Sequence, residues 1–246
     1  MKILAIESSG LVASVALWAD GCIMGEFSTN FKKTHSQTLL PMLDKMMNTL
    51  GMDVSECDAI AVSAGPGSFT GLRIGSATAK GIGLALNLPI IEVPTVDAIA
   101  YNLFGTDRIV CPLMDARRQQ VYTGLYTFEG SEMKVLCPQK AVSIDEILEE
   151  VNALDRPVIF NGDGVAVYKD AIAEKCSVSW CIAPAHAAVQ RGGALAALAA
   201  DNWKNKQECV VSARDHKPDY LRLSQAEREL AAKMALREKT EEQKLR

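Results

Sequence analysis

Apolar positions along the chain recur with two different periods, and the switches between them mark out the elements. Residues 2–6, with Ile3-Leu4-Ala5-Ile6, are a continuous apolar run of buried-strand type. Glu7-Ser8-Ser9-Gly10 turns the chain into a second run, Val12 to Trp18, and Asp20-Gly21 turns it again into a third, Cys22 to Thr29. Three strands joined by tight turns predict a meander. The period then lengthens. Leu39, Leu40, Leu43, Met46, Met47 and Leu50 fall at helical spacing, with Thr34 or Ser36 placed to open the helix and Pro41 near its first turn. A strand over 58–63, a helix from Thr70 to Leu86, a strand from Pro89 to Val93 and a helix from Thr95 to Phe104 complete the first half.

The second half repeats the order. Arg108 to Met114 reads as a strand, Asp115-Ala116-Arg117-Arg118 as a turn, Gln120 to Phe128 as a strand, and Met133 to Cys137 as a third. A helix over Ile144 to Ala153, a strand over Pro157 to Phe160, a helix over 165–175 and a long helix from Ala187 to Asn205 follow. Gly162-Asp163-Gly164 stands in the same ordinal place as Gly65-Pro66-Gly67. Two halves in β-β-β-α-β-α-β-α order predict an internal duplication. That order is the mark of the α/β fold shared by actin, sugar kinases and the Hsp70 ATPase (the ASKHA fold). The expected lobes are residues 1–106 and 107–223. Beyond them, 224–246 is free of glycine and proline and dense in charges of both signs, which predicts a solvated helical tail with Leu230 and Met234 as its seam.

The sharpest local feature is Ser63-Ala64-Gly65-Pro66-Gly67-Ser68-Phe69-Thr70-Gly71-Leu72-Arg73. It breaks the strand at Gly65-Pro66-Gly67 and offers Ser68 or Thr70 as a helix cap. The helix beyond carries Gly71, Gly75, Ala79 and Gly83 at four-residue spacing. Each internal glycine costs about 1 kcal/mol against alanine, so the stripe calls for close approach by something. Either the helix presses on its own sheet, or a partner helix lies against it. Nucleotide motifs fail here. The P-loop spacing from Gly65 places Leu72-Arg73 where Lys-Ser/Thr belongs, and the third glycine of Gly-x-Gly-x-x-Gly is Thr70.

Composition narrows the function. Apolar residues make up 48% of the 246, enough for a full core, and a net charge of −4 argues against a chain that grips nucleic acid by itself. No apolar run is long enough to span a membrane, and Glu7 interrupts any signal peptide. Seven scattered cysteines without a Cys-x-x-Cys pair read as free thiols of a reducing cytoplasm.

Several of these stretches together resemble the bacterial TsaB family: Ile3 to Ser9, His35-Ser36-Gln37 with Leu39-Leu40-Pro41, the Gly65–Arg73 stretch, Asp115-Ala116-Arg117 with Val121-Tyr122, Gly162-Asp163-Gly164, and Pro218-Asp219-Tyr220-Leu221-Arg222. The resemblance covers residues 1–223. The family usually has Asp where this chain has Glu7, and the tail here is longer. What it implies is a non-catalytic scaffold and activator. Its partners would be a TsaD-like subunit that moves a threonylcarbamoyl group onto the adenosine next to the tRNA anticodon, and a TsaE-like ATPase. It further implies contact with tRNA only through the complex, a homodimer as an alternative state of the isolated chain, and no cofactor, with ATP or ADP admitted only at an interface with partners.

The residues set out the alternatives. No metal site is expected: His35 is followed four residues later by Leu39, and His186 and His216 are isolated. In this fold the turns Glu7-Ser8-Ser9 and Asp115–Arg117, with Gly162-Asp163-Gly164, stand where a kinase holds nucleotide. Here they lack the glycine after the first acid and read as vestigial. The rival function is a stand-alone ATP-dependent kinase or ATPase; a third is a dimeric module with another client. The helix over 36–50 is apolar on more than one face, which predicts burial on two sides. The expected partner surface is that helix with the glycine helix: Leu39, Leu43, Met46, Met47, Leu50, Gly71, Arg73, Gly75, Ala79 and Lys80.

Overall fold

The computed structural model describes residues 1–31 and 34–221. The charged tail over 224–246 and Arg222 of the last motif lie outside the described residues.

Strands β1 (Lys2–Glu7), β2 (Ala13–Ala19) and β3 (Cys22–Thr29) form the expected meander, followed by helix α1 (His35–Leu50), β4 (Ala59–Gly65), α2 (Phe69–Leu86), β5 (Ile90–Pro94) and α3 (Thr95–Tyr101). The second unit repeats this as β6 (Ile109–Asp115), β7 (Gln120–Glu129), β8 (Glu132–Ser143), α4 (Ile144–Ala153), β9 (Val158–Asn161), α5 (Gly164–Lys175), β10 (Trp180–Ile182) and α6 (Gly192–Asn205). The sheets are ordered β5-β4-β1-β2-β3 and β10-β9-β6-β7-β8, one the topological copy of the other, with a short β11 (Val210–Val211) added beyond β5. In each, the meander strands pair antiparallel while β4 and β9 run parallel to β1 and β6. The duplication read from the element order is therefore present strand for strand.

Three details differ from expectation. β8 runs on to Ser143 through Pro138, which reads as a terminator; β8 is an edge strand, where a missing N–H costs the ladder nothing. β10 is only three residues long and half-exposed, too short to show a period. α6 starts at Gly192, after a single 3₁₀ turn at Ala185–Ala187.

Packing also crosses the expected lobe boundary at 106/107. The chain from Gly192 onward returns to the first sheet: Leu195, Ala196, Leu198, Ala199 and Ala200 of α6 share a core with Ile3, Ala5, Ala16, Ala61 and Ile91. Conversely, Val96, Ile99 and Ala100 of α3 pack with Val110, Met114, Tyr126 and Ile159 of the second sheet. Each sheet is thus covered on its inner face by a helix that the sequence assigns to the other half. Polar ties reinforce the crossing. Tyr126 donates to Asp97 at 2.7 Å, Asn161 Nδ2 to the Ile99 carbonyl at 2.7 Å, and Asn102 Nδ2 to the Val189 carbonyl at 2.8 Å.

The glycine stripe has a definite answer. A Cβ at Gly71 would collide with the carbonyl oxygen of Ser8, and one at Gly75 with the Ser8 hydroxyl; at Gly83 it would press on Ala213 and the Leu88 carbonyl. Gly71, Gly75 and Ala79 are buried inside the lobe, against the first turn and β1 rather than open to another chain. On α1, Leu39, Leu43, Met46 and Met47 are equally buried in the core of the lobe, with Leu50 packed at its edge. These residues of the expected partner surface face the core of their own lobe. A wide domain core accounts for most of the apolar surface of α1.

It follows that Gly75→Leu damages the isolated protein. Overpacking at so close a contact costs about 1–3 kcal/mol or more, exceeding the roughly 1 kcal/mol returned by removing a helical glycine. Thermal melting should show a lowered midpoint or insoluble protein before any partner is added; an unchanged or raised midpoint would contradict this packing.

Candidate functional site

A cleft of about 570 Å³ opens between the two sheets where the first and second turns face each other. Its walls include Ser9, Gly10 and Gly67–Phe69 from the first lobe, Met114–Arg117, Tyr122 and Asp163 from the second, and Asp219–Leu221 from the returning chain. Ser9, Asp115, Arg117 and Asp163 of the predicted turn residues are thus brought together. Glu7, Ser8, Gly162 and Gly164 are not on the walls.

Glu7 points into the protein. It is 1% exposed, accepts the Ser9 N–H at 2.7 Å and the Ser9 hydroxyl at 2.5 Å, and takes a third hydrogen bond from the Ser63 hydroxyl of β4. Burial pushes its carboxyl above the ordinary range, and the bonds from Ser63 and Ser9 work against that rise. Ser8 turns the same way and donates to the Gly71 carbonyl at 2.9 Å. His35 closes the turn from outside, its Nε2 lying 2.8 Å from the Gly10 carbonyl. The acid that would hold magnesium in a kinase is here a brace between β1, β4 and the turn.

The second turn is differently made. Asp115 accepts the Arg117 N–H at 2.9 Å and sits 3.4 Å from the Tyr168 hydroxyl, while the Arg117 side chain, 88% exposed, keeps its guanidinium 3.7 Å from the Asp115 carboxylate. Arg117, Arg118 and Gln119 all have positive φ, at 65°, 55° and 58°, a strained run for residues with side chains. Asp163 faces the same space. Burial raises its carboxyl, and the neighbouring Asp115 charge acts in the same direction. Hydrogen bonds from backbone N–H groups, those of Asp115 and Gly164 among them, work against that rise, while Oδ1 itself has no hydrogen-bond partner among the described residues. Gly162 and Gly164 lie behind it: the Gly162 N–H donates to the Ala188 carbonyl at 2.6 Å, and Gly164 begins α5.

The segment 212–221, of which only Pro218–Leu221 stood out as part of a family motif, straps across α2 and closes one side of the cleft. Lys80 Nζ donates to the carbonyls of Arg214 at 2.8 Å and His216 at 2.9 Å, and the Asp219 N–H donates to the Ala64 carbonyl at 2.6 Å. His216, 1% exposed, sits 2.6 Å from Glu92 through Nδ1 and 2.9 Å from the Ser76 hydroxyl through Nε2. Serine, histidine and carboxylate stand in the order of a hydrolytic triad, but Ser76 is 4% exposed and does not line the cleft. The group is a latch. Tyr220 ends the strap against Phe69, ring centroids 5.0 Å apart, with its hydroxyl 3.3 Å from Arg73 Nε and the Arg73 guanidinium 4.0 Å above the Phe69 ring. The visible sequence signal was an aromatic-acid pair, Asp219-Tyr220, close after a proline; its target could not be read.

The other candidate surface is the outer side of α1 and α2. Leu40 is 53% and Leu84 57% exposed. Arg73, Ala77 and Gly81 are exposed on the same helix at four-residue spacing, and no described atom lies within 4 Å of a Cβ built on Gly81. Of the predicted partner residues Arg73 is on this side, and Lys80 is half-buried and committed to the strap. Among the described residues no group of three or more His, Cys, Asp or Glu side chains could hold a metal, and no helix is long and apolar enough to cross a membrane.

Two duplicated lobes with a cleft between their first turns place the protein in the actin-like, sugar-kinase and Hsp70 class of folds. A family model described as TsaD: tRNA N6-adenosine threonylcarbamoyltransferase matches residues 24–231. The tRNA threonylcarbamoyladenosine biosynthesis protein TsaB of Bacillus subtilis is 34% identical over 92% of this chain and 96% of its own length. The TsaB protein of Escherichia coli is 38% identical over 51% of this chain and 55% of its own length. The solved structure of YeaZ from Pseudomonas aeruginosa superposes with a TM-score of 0.74 at 27% identity, over 89% of this chain and 99% of that one. The chain belongs to the TsaB family.

The buried Glu7 carboxyl makes stability depend on pH. Its folded-state value is raised, so the folded protein holds a proton that the unfolded chain releases as pH climbs from the ordinary carboxyl range to the folded value. The stability Glu7 contributes is full below that window and falls across it. Glu7→Gln, which can still accept from Ser9 and donate to Ser63, should flatten this fall. Glu7→Ala should cost about 1–3 kcal/mol by stranding the two serine hydroxyls. Urea melts of the three proteins across the window check both; a wild-type stability that rises through it would overturn the assignment.

Proposed function

We propose that this chain is the non-catalytic, accessory subunit of a cytoplasmic complex that places a threonylcarbamoyl group on the adenosine next to the tRNA anticodon. The observation that carries this reading is the fate of the phosphate turns. Glu7 faces inward to Ser9 and Ser63, and the cleft that would receive a nucleotide carries the carboxylates of Asp115, Asp163 and Asp219 against the one guanidinium of Arg117 on its walls. The first-turn acid is thus turned away from the space where a nucleotide's magnesium would sit. The family supports the pathway, since relatives are named for tRNA threonylcarbamoyladenosine biosynthesis. The rival, a stand-alone kinase or ATPase, needs the turns in the opposite arrangement.

In this reading a TsaD-like subunit supplies the chemistry, a TsaE-like ATPase acts on the pair, and tRNA is met only through the assembly. The docking surface is the outer side of the helix pair, with Leu40, Arg73, Ala77, Gly81 and Leu84 in place of the buried residues named from sequence. Small residues at 77 and 81 let another helix approach closely, and the two leucines supply apolar area. The same side could pair two copies of the isolated chain.

Two measurements test this. Purified alone, the chain should neither hydrolyse ATP nor modify tRNA, and modification should appear when the catalytic subunit is added; turnover by the isolated chain, lost in Asp115→Ala, would overturn the accessory role. Gly81→Arg should melt at or slightly above the wild-type temperature, since it replaces a glycine in an open helical position at a gain of up to about 1 kcal/mol. It should nevertheless fail to co-elute with the catalytic subunit, and co-elution at wild-type strength would move the interface elsewhere.

A further inference from the structure

Helix α2 carries two cations and no acid. Lys80 is committed to the carbonyls of Arg214 and His216 under the strap. Arg73 is exposed and has two resting contacts, its Nε 3.3 Å from the Tyr220 hydroxyl and its guanidinium carbon 4.0 Å from the centre of the Phe69 ring. Both are weak in kind. The first is a bond to a neutral acceptor at the long end of the N–H···O range, and the second is a cation–π contact at a surface site. A carboxylate offers a guanidinium two parallel charge-assisted bonds, each roughly twice as strong as one to a neutral group. The advantage grows where a covering element excludes water. Arg73 therefore rests in a place that an arriving carboxylate can take it from.

Its position decides what would bring that carboxylate. Arg73, Ala77 and Gly81 follow one another at four-residue spacing on the exposed side of α2, so Arg73 lies one turn, about 6 Å, along the axis from Ala77. A helix seated between Leu40 and Leu84 reaches Arg73 with a single side chain. The strap sets the limit of the response. It is pinned up to Asp219, whose N–H donates to the Ala64 carbonyl at 2.6 Å, and His216 is bonded at both ring nitrogens. Tyr220 and Leu221, the next two residues, are partly exposed and line the cleft, and the ring of Tyr220 leans on Phe69 with its hydroxyl on Arg73.

We propose that Arg73 couples docking to the cleft: an Asp or Glu on the partner's helix, one turn from its crossing over Ala77 and Gly81, draws the guanidinium off Phe69 and Tyr220. The arrival of the partner is thereby registered at the cleft wall while the rest of the strap stays fastened. This rests on the docking surface proposed above and adds the chemistry of the segment that fits it, a helix with small or apolar residues at the crossing and a carboxylate one turn away.

Fluorine NMR of the full chain labelled with 3-fluorotyrosine tests it. The five tyrosines give one resonance each, and Tyr220→Phe identifies that of Tyr220. Saturating unlabelled catalytic subunit should shift the Tyr220 resonance. Arg73→Gln, at an exposed position, should keep the wild-type melting temperature and bind the catalytic subunit at least tenfold more weakly. Its Tyr220 resonance should stay in place when that weaker complex is saturated. Arg73→Lys, which keeps the charge without the fork, should weaken binding severalfold. Arg73→Gln binding at wild-type strength, or a Tyr220 resonance that the bound subunit leaves unmoved in the wild-type chain, would overturn the coupling. The two proposals separate through Gly81→Arg. Wild-type binding by that variant strikes the docking surface and the coupling with it, whereas binding lost in Gly81→Arg beside a stationary Tyr220 resonance in the wild-type complex strikes the coupling alone.

Discussion

Everything in the first lobe depends on the close approach of α2 to the first turn. Ser8 sits where side chains at positions 71 and 75 would be, and its hydroxyl bonds the Gly71 carbonyl. The turn can lie so low only because α2 is bare on that side. Once there, Glu7 is carried inward to Ser9 and to Ser63 on β4, so one contact fixes β1, β4 and the helix at once. The two glycines at this contact are a local cost of about 1 kcal/mol each. The return is a turn held by buried hydrogen bonds, which are worth most where water cannot compete. The same geometry takes the acid away from the cleft. The contact that stabilises the lobe also removes the group a nucleotide's metal would need.

The strap extends this logic to the other end of the chain. Gly83, the last of the stripe, faces Ala213, and Lys80, one turn earlier on a neighbouring side of the helix, binds two strap carbonyls. His216 then fastens the strap to both α2 and β5 through Ser76 and Glu92. A lysine ammonium satisfying backbone carbonyls and an imidazole bonded at both nitrogens leave little polar capacity unused under the segment. Residues more than a hundred positions apart thereby bring Asp219 and Tyr220 to the cleft. The charge and aromatic character of that cleft owe as much to the end of the chain as to its turns.

This explains which features were legible in the sequence. Element order, the duplication and most helix limits were readable because periodicity and turn residues are local. Ile144 to Ala153 matched to the residue, with Ser143 capping Glu146 as its side chain suggests. The glycine stripe could be seen but its facing could not, because a bare helical side suits a sheet and a partner equally. α1 misled for a related reason. Six apolar positions look like more than one lobe can bury, yet the lobe takes Leu39, Leu43, Met46 and Met47 and leaves Leu40 outside. The crossing of α3 and α6 between sheets, the strap and the inward Glu7 are all long-range, and no window of sequence contains both partners.

The outer side of α2 is best understood from its inner side. A helix that carries bulk on one face usually holds the facing element about 8–10 Å away. Here the inner stripe is glycine and alanine, so the helix sinks towards the sheet. The outer row repeats the choice with Ala77 and Gly81, which leaves α2 slender in both directions. Such a helix can be sandwiched, backbone close to backbone, without widening the lobe. Arg73 is the exception on that row, and its guanidinium is laid back over Phe69 and towards Tyr220 instead of standing out. A partner helix that came to rest on Ala77 and Gly81 would reach Arg73 next, and through it the ring pair at the edge of the cleft. The outer surface and the cleft are therefore joined by one side chain, without any movement of the sheets being required.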